Sequence, residues 1–211
     1  MSPSKLESNL KRKLRRHIDA IAGSDHDVAK GLDSVGYPSP RVRAAGFETL
    51  LSIIVSQQIS TGAAQAIWRR LVSMLPELDA AALLDCDPRD LRSAGLSGRK
   101  VEYATGLAQS IVAGQFEPDR LENLDDEAAI SEITSLRGFG RWSAEIYLMF
   151  SLQRADIFPA DDLALQVALQ KLKQLPERPT AKRAREVTAR WRPRRSAASL
   201  FLWHYYRGAP A

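Results

Sequence analysis

Apolar residues recur at helical spacing along most of this chain. A nearly unbroken apolar segment, Phe47 to Val55, predicts a buried helix, and another runs from Trp142 to Leu152. The N-terminal repeat predicts an amphipathic helix that ends near Gly23, with an apolar face formed by Leu6, Leu10, Leu14, Ile18 and Ile21.

Capping residues and glycines set the bounds of the other predicted helices. Ser60 is an N-cap for a helix from about Thr61 to Leu75, and Asp87-Pro88 opens a short helix that ends near residue 94. Further helices are predicted at 25–32, at 79–85, from about Arg99 to Ala113, and from Asp125 or Asp126 to about Ser135.

Strand signals are missing from the sequence. No segment alternates β-branched and polar residues, and no internal repeat is present. The pattern predicts an all-α protein of roughly ten helices, and 211 residues suffice for one large domain or two small lobes that share a core.

Composition excludes several classes of protein. With 45% hydrophobic and 26% charged residues the chain is globular, and no apolar run has the length of a membrane helix. The basic N-terminal segment lacks the apolar core of a secretory signal, so a cytoplasmic protein is expected. Cys86 is the only cysteine, which excludes an internal disulfide and a four-cysteine iron–sulfur cluster.

The net charge of +5 is distributed unevenly. Residues 171–211 hold 11 Lys and Arg against 2 Asp and Glu, whereas residues 41–130 hold 9 against 13. A basic C-terminal part with an acidic middle favours one face for a polyanion. Charge alone leaves an ordinary soluble basic surface equally open.

The stretch from Leu136 to Asp162 carries the candidate chemistry. Gly138 and Gly140 flank Phe139 in a turn between two predicted helices, and the N–H groups from Gly140 to Ser143 would face an anion. An ordinary tight helix–turn–helix is the alternative. Asp161 and Asp162 follow behind a proline, where a pair of helix caps is the alternative to an active site.

At these residues the chain resembles the helix–hairpin–helix base-excision DNA glycosylases. Leu136–Ala144 is similar to their hairpin, and Ile157–Asp162 is similar to the loop that carries their catalytic aspartate. The Gly-Arg-Trp-Ser-Ala sequence and the paired aspartates most resemble the 3-methyladenine DNA glycosylases of alkylation repair. The resemblance spans about residues 45 to 207 and includes Phe47–Ala64, Ala189–Ser196 and Leu202-Trp203.

The resemblance implies a fold. It predicts a single unit of two interleaved helical lobes with no N-terminal β domain. One lobe would comprise about residues 1–45 and 155–211, and the other about 46–154, with the hairpin at 136–142. A monomer is expected.

The resemblance also implies an activity. Asp162 matches the catalytic aspartate, and Asp161 is expected to cap the next helix. Trp142 stands where bifunctional relatives carry the lysine that forms a Schiff base and cuts the strand. The expected protein is therefore a monofunctional glycosylase that flips out 3-methyladenine, and next 7-methylguanine, hydrolyses the N-glycosidic bond and leaves an abasic site.

Further site residues are implied by the same resemblance. Gln58 matches the intercalating position with Gln57 beside it, and Trp142, Trp203 and Tyr147 are expected to line the base pocket. The hairpin residues expected to bind DNA are Gly138, Phe139, Gly140, Arg141 and Ser143. No cofactor is expected to be required, but the carbonyls of Thr134, Leu136 and Phe139 match those that hold a sodium or potassium ion.

The expected partner is double-stranded DNA that contains damaged bases, with no membrane contact, and nucleoid association if the source is bacterial. A non-catalytic helix–hairpin–helix DNA-binding module and a glycosylase for another damaged or mismatched base stay open as alternatives. For Arg192, Arg194 and Arg195, contact with the DNA backbone and a structural role before the final helix both stay open.

Overall fold

The computed structural model describes residues 3–75 and 77–208, and residues 1, 2, 76 and 209–211 lie outside this description. No strand occurs within the described ranges, which confirms the all-α prediction. The α-helices are α1 Pro3–Ala22, α2 His26–Val35, α3 Phe47–Ser56, α4 Thr61–Met74, α5 Ala80–Leu84, α6 Pro88–Ser93, α7 Gly98–Val112, α8 Asp126–Ser135, α9 Arg141–Phe150, α10 Leu163–Leu172, α11 Ala181–Thr188 and α12 Arg195–Gly208. Short 3₁₀ helices occupy Pro118–Asn123 and Ala189–Trp191.

The predicted caps fix the helix starts. Ser60 accepts the N–H of Ala63 at 3.2 Å, and Asp87 caps α6 with proline as the first helical residue. Asp125, and not Asp126, caps α8. These bonds join residues two or three apart, so the local sequence suffices to predict them.

The chain divides into two compact units. The first unit combines Met1–Val42 with Gln153–Ala211, and the second is the continuous segment Arg43–Leu152. None of the described helices is long and apolar enough to cross a membrane.

The core of the first unit lies among α1, α2, α10 and α12. Ile18 of α1 is fully buried, and so are Leu165 and Leu169 of α10 and Leu202 of α12. Burying such a side chain stabilises the fold by about 1.5–3 kcal/mol. The unit therefore holds the N-terminus of α10, where the candidate aspartate lies, against a packed core.

A buried polar cluster, formed by Asp25, Lys173 and Trp191, also holds the first unit together. Asp25 caps α2 through the N–H of Val28 and accepts bonds from Lys173 Nζ at 2.5 Å and from Trp191 Nε1 at 2.9 Å. The Asp25 side chain is fully buried, and such a charge requires both an opposite charge and hydrogen bonds. The cluster fixes the C-terminal end of α10.

The second unit is built around α3. Leu50, Leu51 and Ile54 are fully buried, and α3 contacts α4, α7 and α9. Lys100 of α7 donates from Nζ to the carbonyl of Val55 at 2.7 Å, which satisfies one of the last carbonyls of α3. Burial lowers the pKa of Lys100.

Candidate functional site

Asp162 is the N-cap of α10. Its Oδ1 accepts the N–H of Leu165 at 3.0 Å and the indole N–H of Trp203 at 3.1 Å. Its own N–H donates to the carbonyl of Pro159 at 3.0 Å, which closes a turn just before the helix. The half-buried carboxylate is thus fixed at the positive end of a helix dipole, where negative charge is stabilised.

The prediction that Asp161 caps this helix is wrong. Asp161 lies in the turn and is exposed, and its carboxylate forms an ion pair with Arg185 at 2.9 Å. The turn closed by the Asp162 N–H and the Pro159 carbonyl places the start of α10 one residue later in the chain than predicted. Asp162 therefore has the extended backbone conformation of an N-cap. Asp162 therefore combines the capping role with the position of the candidate catalyst.

The loop before Asp162 is anchored to the start of α12. Asp156 accepts bonds from Arg195 Nε at 2.8 Å and Arg192 Nε at 3.1 Å, and Ser196 accepts the N–H of Ile157 at 3.0 Å. Burial by itself would raise the pKa of the Asp156 carboxyl. The bonds from the two arginines have the larger combined effect, and the pKa lies below its usual value. Arg192 and Arg195 thus have a structural role, one of the two that the sequence left open.

The hairpin turn between α8 and α9 needs one of its glycines for packing. Gly138 has φ of +95°, and a Cβ there would lie 2.4 Å from the ring of Tyr103. Gly140 is the exposed N-cap of α9, supplies no side-chain cap, and has open space where a Cβ would be. The start of α9 is therefore shaped to receive an anion from outside the chain.

The polar corner after α3 is tied to the hairpin. Gln57 donates from Nε2 to the carbonyl of Gly138 at 2.8 Å, so this side chain supports the turn. Gln58 is exposed and has φ of +56°, a conformation that costs a non-glycine residue about 1–3 kcal/mol. Of Gln57 and Gln58, the exposed Gln58 is therefore the one whose side chain extends into solvent.

The Arg141 side chain is bound within the second unit. Its guanidinium binds Glu127 through Nη1 at 2.9 Å and Nη2 at 2.5 Å, and Glu145 through Nε at 3.0 Å. Hydrogen bonding to Glu127 raises the pKa of Arg141 above its usual value, although burial opposes it. Glu145 is buried, so the Arg141 side chain neutralises an internal charge, and a contact of the Arg141 backbone with DNA stays a prediction.

The side chains of two other hairpin residues are buried. Phe139 and Ser143 have 6% and 4% of their surface exposed, so neither side chain is available to DNA. A contact at Ser143 would use its N–H group, whereas the N–H of Phe139 already donates to the carbonyl of Leu136.

The three candidate pocket aromatics differ in their surroundings. Trp142 and Trp203 are half-buried, whereas Tyr147 is fully buried and its hydroxyl accepts the N–H of Gly46 at 2.8 Å. Burial raises the pKa of Tyr147. The structure thus corrects the prediction for Tyr147, which is a core residue and not a pocket wall.

The carbonyls expected to hold a cation lie at the end of α8 and in the turn that follows it. Thr134 is in the last turn of α8, Leu136 is its C-cap, and Phe139 lies in the turn. Leu136 accepts the N–H of Phe139 at 3.1 Å, and a carbonyl oxygen has a second lone pair that can bind a cation. Within the described ranges, no group of three or more His, Cys, Asp or Glu side chains could hold a metal. The sodium or potassium ion at the hairpin carbonyls stays a prediction.

Sequence reasoning missed the residues that position the site. Tyr103 packs on Gly138, Lys100 binds Val55, and the cluster around Asp25 fixes α10. Their partners lie between 35 and 166 residues away along the chain, so no local signal identifies them. The aromatic ring beside the glycine turn could be found only from the fold.

Comparison with known proteins assigns the chain to a family. A family model described as HhH-GPD superfamily base excision DNA repair protein matches residues 51–194. DNA-3-methyladenine glycosylase 1 of Schizosaccharomyces pombe is 33% identical over 194 residues, which cover 87% of this chain and 83% of that protein. A putative DNA-3-methyladenine glycosylase of Bacillus subtilis is 28% identical, over 74% of this chain and 58% of its own length.

A solved structure agrees with the sequence relatives. The structure of the S. pombe 3-methyladenine DNA glycosylase in complex with abasic DNA superposes with a TM-score of 0.81 at 30% identity. The match covers 90% of this chain and 95% of that chain. The family match over residues 51–194 contains the hairpin and the loop to Asp162.

Proposed function

Because the chain belongs to the HhH-GPD superfamily of base excision DNA repair proteins, we propose that it is a monofunctional DNA-3-methyladenine glycosylase. It flips an alkylated purine out of damaged double-stranded DNA and hydrolyses the N-glycosidic bond. The observation that carries the proposal is Asp162, a carboxylate held by two hydrogen bonds at the end of the loop that matches this family. A module that only binds DNA has no need of such a group.

The chemistry assigned to Asp162 is electrostatic. Breaking the N-glycosidic bond builds positive charge on the sugar, and a carboxylate fixed beside that sugar stabilises the charge and orients the attacking water. A preorganised anion needs no rearrangement when the charge develops. The bonds from Leu165 and Trp203 supply this preorganisation.

Strand binding is assigned to the hairpin. The start of α9 offers backbone N–H groups and a helix dipole to a phosphate, and exposed Gly140 leaves room for the phosphate to come close. Gln58 is assigned to the gap that the flipped base leaves in the stack. The carbonyls of Thr134, Leu136 and Phe139 would hold the sodium or potassium ion, whose positive charge would favour binding of a phosphate.

Base release and base choice are assigned to the tryptophans. Trp142 occupies the position of the lyase lysine, so no Schiff base forms and the product is an abasic site. A 3-methylated adenine carries positive charge, which favours contact with aromatic side chains, and Trp142 and Trp203 are each assigned to this role. Positively charged bases are also better leaving groups, so 3-methyladenine ranks first and 7-methylguanine second. A cytoplasmic location, with access to DNA, is part of the same proposal.

Replacing Asp162 tests the proposal. We expect Asp162→Asn to lower single-turnover release of 3-methyladenine from alkylated duplex by at least about 100-fold, the scale of losing one electrostatic stabiliser. Asparagine also caps helices well, so α10 should persist. The measurement is chromatographic quantification of the free base.

Asp161→Asn is the matched control, because it removes a charge from the exposed neighbour that binds Arg185. We expect its rate to stay within about threefold, since exposed ion pairs contribute little. Equal rates for wild type and Asp162→Asn would refute the catalytic assignment. DNA binding without base release by either protein would favour the binding module, and release of another lesion alone would favour a different glycosylase.

A further inference from the structure

The solvent-facing side of α1 carries a concentrated basic surface that the proposed function does not use. Over residues 5–16 the chain has six lysines and arginines and one acidic residue, Glu7. Five of the basic residues, which we call the α1 basic face, are exposed: Lys11, Arg12, Lys13, Arg15 and Arg16.

The opposite side of α1 packs in the hydrophobic core. Leu14, Ile18 and Ile21 are buried in the first unit. A helix that binds a membrane surface must insert an apolar face into the lipid, and the buried apolar residues of α1 are already packed in the core. The exposed side chains from residue 11 to residue 16 are all charged, which favours a hydrated polyanion as the partner.

Neighbouring groups neutralise little of the positive charge of the α1 basic face. Arg12 donates to the neutral Asn9, and Arg15 lies over the ring of Tyr37 at 5.0 Å. Glu7 pairs with Lys11 at 2.6 Å, but both side chains are more than half exposed, and such pairs exchange readily for other partners. Asp19, bound to the Tyr37 hydroxyl, marks the acidic edge of the face.

The positive charges of the α1 basic face act on a neighbouring histidine together with an arginine from another segment. Burial lowers the pKa of His17, and the positive charges of Lys13, Arg16 and Arg194 lower it further. Arg194, from the segment before α12, thus adds to the basic field around α1.

We propose that the α1 basic face is a second contact surface for the phosphate backbone of double-stranded DNA. Three of its five residues are arginines, whose planar groups suit phosphate oxygens. From residue 11 to residue 16 the helix rises about 7.5 Å, and phosphates of one strand are spaced by about 3.4 Å along the duplex, so the face can contact about two or three phosphates. The choice of DNA as the polyanion rests on the proposed function.

The test is the salt dependence of binding to undamaged duplex DNA. The variant Lys11→Gln, Arg12→Gln, Lys13→Gln, Arg16→Gln removes four charges and keeps good helix formers. We expect its affinity at low salt to fall about tenfold or more, and the slope of log K against log salt to decrease by about 2, roughly one unit for each phosphate that the helix no longer neutralises. Circular dichroism checks that the helix content is retained.

The matched control removes four exposed charges outside both α1 and the basic C-terminal part, through Lys30→Gln, Arg89→Gln, Arg92→Gln and Arg120→Gln. We expect its slope to equal that of wild type. The variant Arg12→Lys, Arg16→Lys should keep the wild-type slope because it keeps both charges. If the four-residue α1 variant loses helix content, the double variant Arg12→Gln, Arg16→Gln replaces it. We expect the slope of this double variant to decrease by about 1.

An unchanged slope in the α1 variant, or an equal decrease in the control, would overturn the inference. So would binding of wild type to vesicles of phosphatidylserine that depends on the α1 charges while DNA binding does not. Because the duplex carries no lesion, failure of base excision leaves this result intact, and the two proposals fail separately.

Discussion

At the scale of single residues, the position of Asp162 depends on an indole. Trp203 donates to the same Oδ1 atom that caps α10, so a residue expected to line the base pocket also orients the candidate catalyst. A hydrogen bond to a charged group is worth about 1.5–3 kcal/mol. Trp203 is therefore a positioning residue in addition to its assigned place in the pocket.

Trp203→Phe separates these two roles because it keeps an aromatic ring and removes the N–H. We expect the single-turnover excision rate to fall about tenfold, which corresponds to about 1.4 kcal/mol. The same substitution in the Asp162→Asn background should have little further effect, since its partner charge is gone. An equal reduction in both backgrounds would assign Trp203 to the pocket alone.

At the scale of elements, the hairpin uses its two glycines differently. Gly138 has a positive φ and lies against Tyr103, whereas Gly140 has an ordinary backbone conformation and open space around its Cα. The first glycine is required for packing inside the second unit. The second is required only if something outside the chain comes close.

Two alanine substitutions test this difference. We expect Gly138→Ala to destabilise the fold by about 2 kcal/mol or more, because the added methyl is strained and meets an aromatic ring. Gly140→Ala should change stability by less than about 0.5 kcal/mol yet weaken binding to abasic duplex about tenfold, or about 1.4 kcal/mol. Chemical denaturation and fluorescence anisotropy measure the two effects. Wild-type affinity of Gly140→Ala would show that no phosphate comes close at this position.

At the scale of the whole molecule, a buried charge joins distant parts of the first unit. Burial by itself would raise the pKa of the Asp25 carboxyl. The bonds from Lys173 and Trp191 have the larger combined effect, and the pKa lies below its usual value. A lowered carboxylate pKa stabilises the fold above the unfolded value of about 3.9, and this stability is lost as the pH falls through the folded pKa. Acid should therefore loosen the unit that holds Asp162.

Asp25→Asn removes this contribution. We expect it to lower the free energy of unfolding at pH 7 by about 3–5 kcal/mol, because the mostly buried Lys173 would keep only the half-exposed Asp27 as an opposite charge. It should also flatten the loss of stability below about pH 4. Asp27→Asn is the control, since Asp27 contacts the same lysine at 2.9 Å but is 47% exposed. Its effect should stay below about 1 kcal/mol. Equal urea-unfolding curves for both variants would contradict the argument.

The sequence by itself determined the helical class, most helix bounds, the caps Ser60, Asp87 and Asp125, and the glycine turn. It also carried the resemblance that the family match confirms. These features depend on residues within one or two helical turns of each other. Hydrophobic periodicity and capping express such short-range interactions, so the sequence shows them directly.

The tertiary structure alone decided which aspartate caps α10, that Arg141 binds Glu127 of α8, that Tyr147 is a core residue, and that Asp25 binds Lys173. Each outcome depends on which side chains the fold brings together, often across more than a hundred residues. A carboxylate or a guanidinium has the same sequence letter whether it faces a buried charge or solvent. The partner, and so the role, is therefore set by packing.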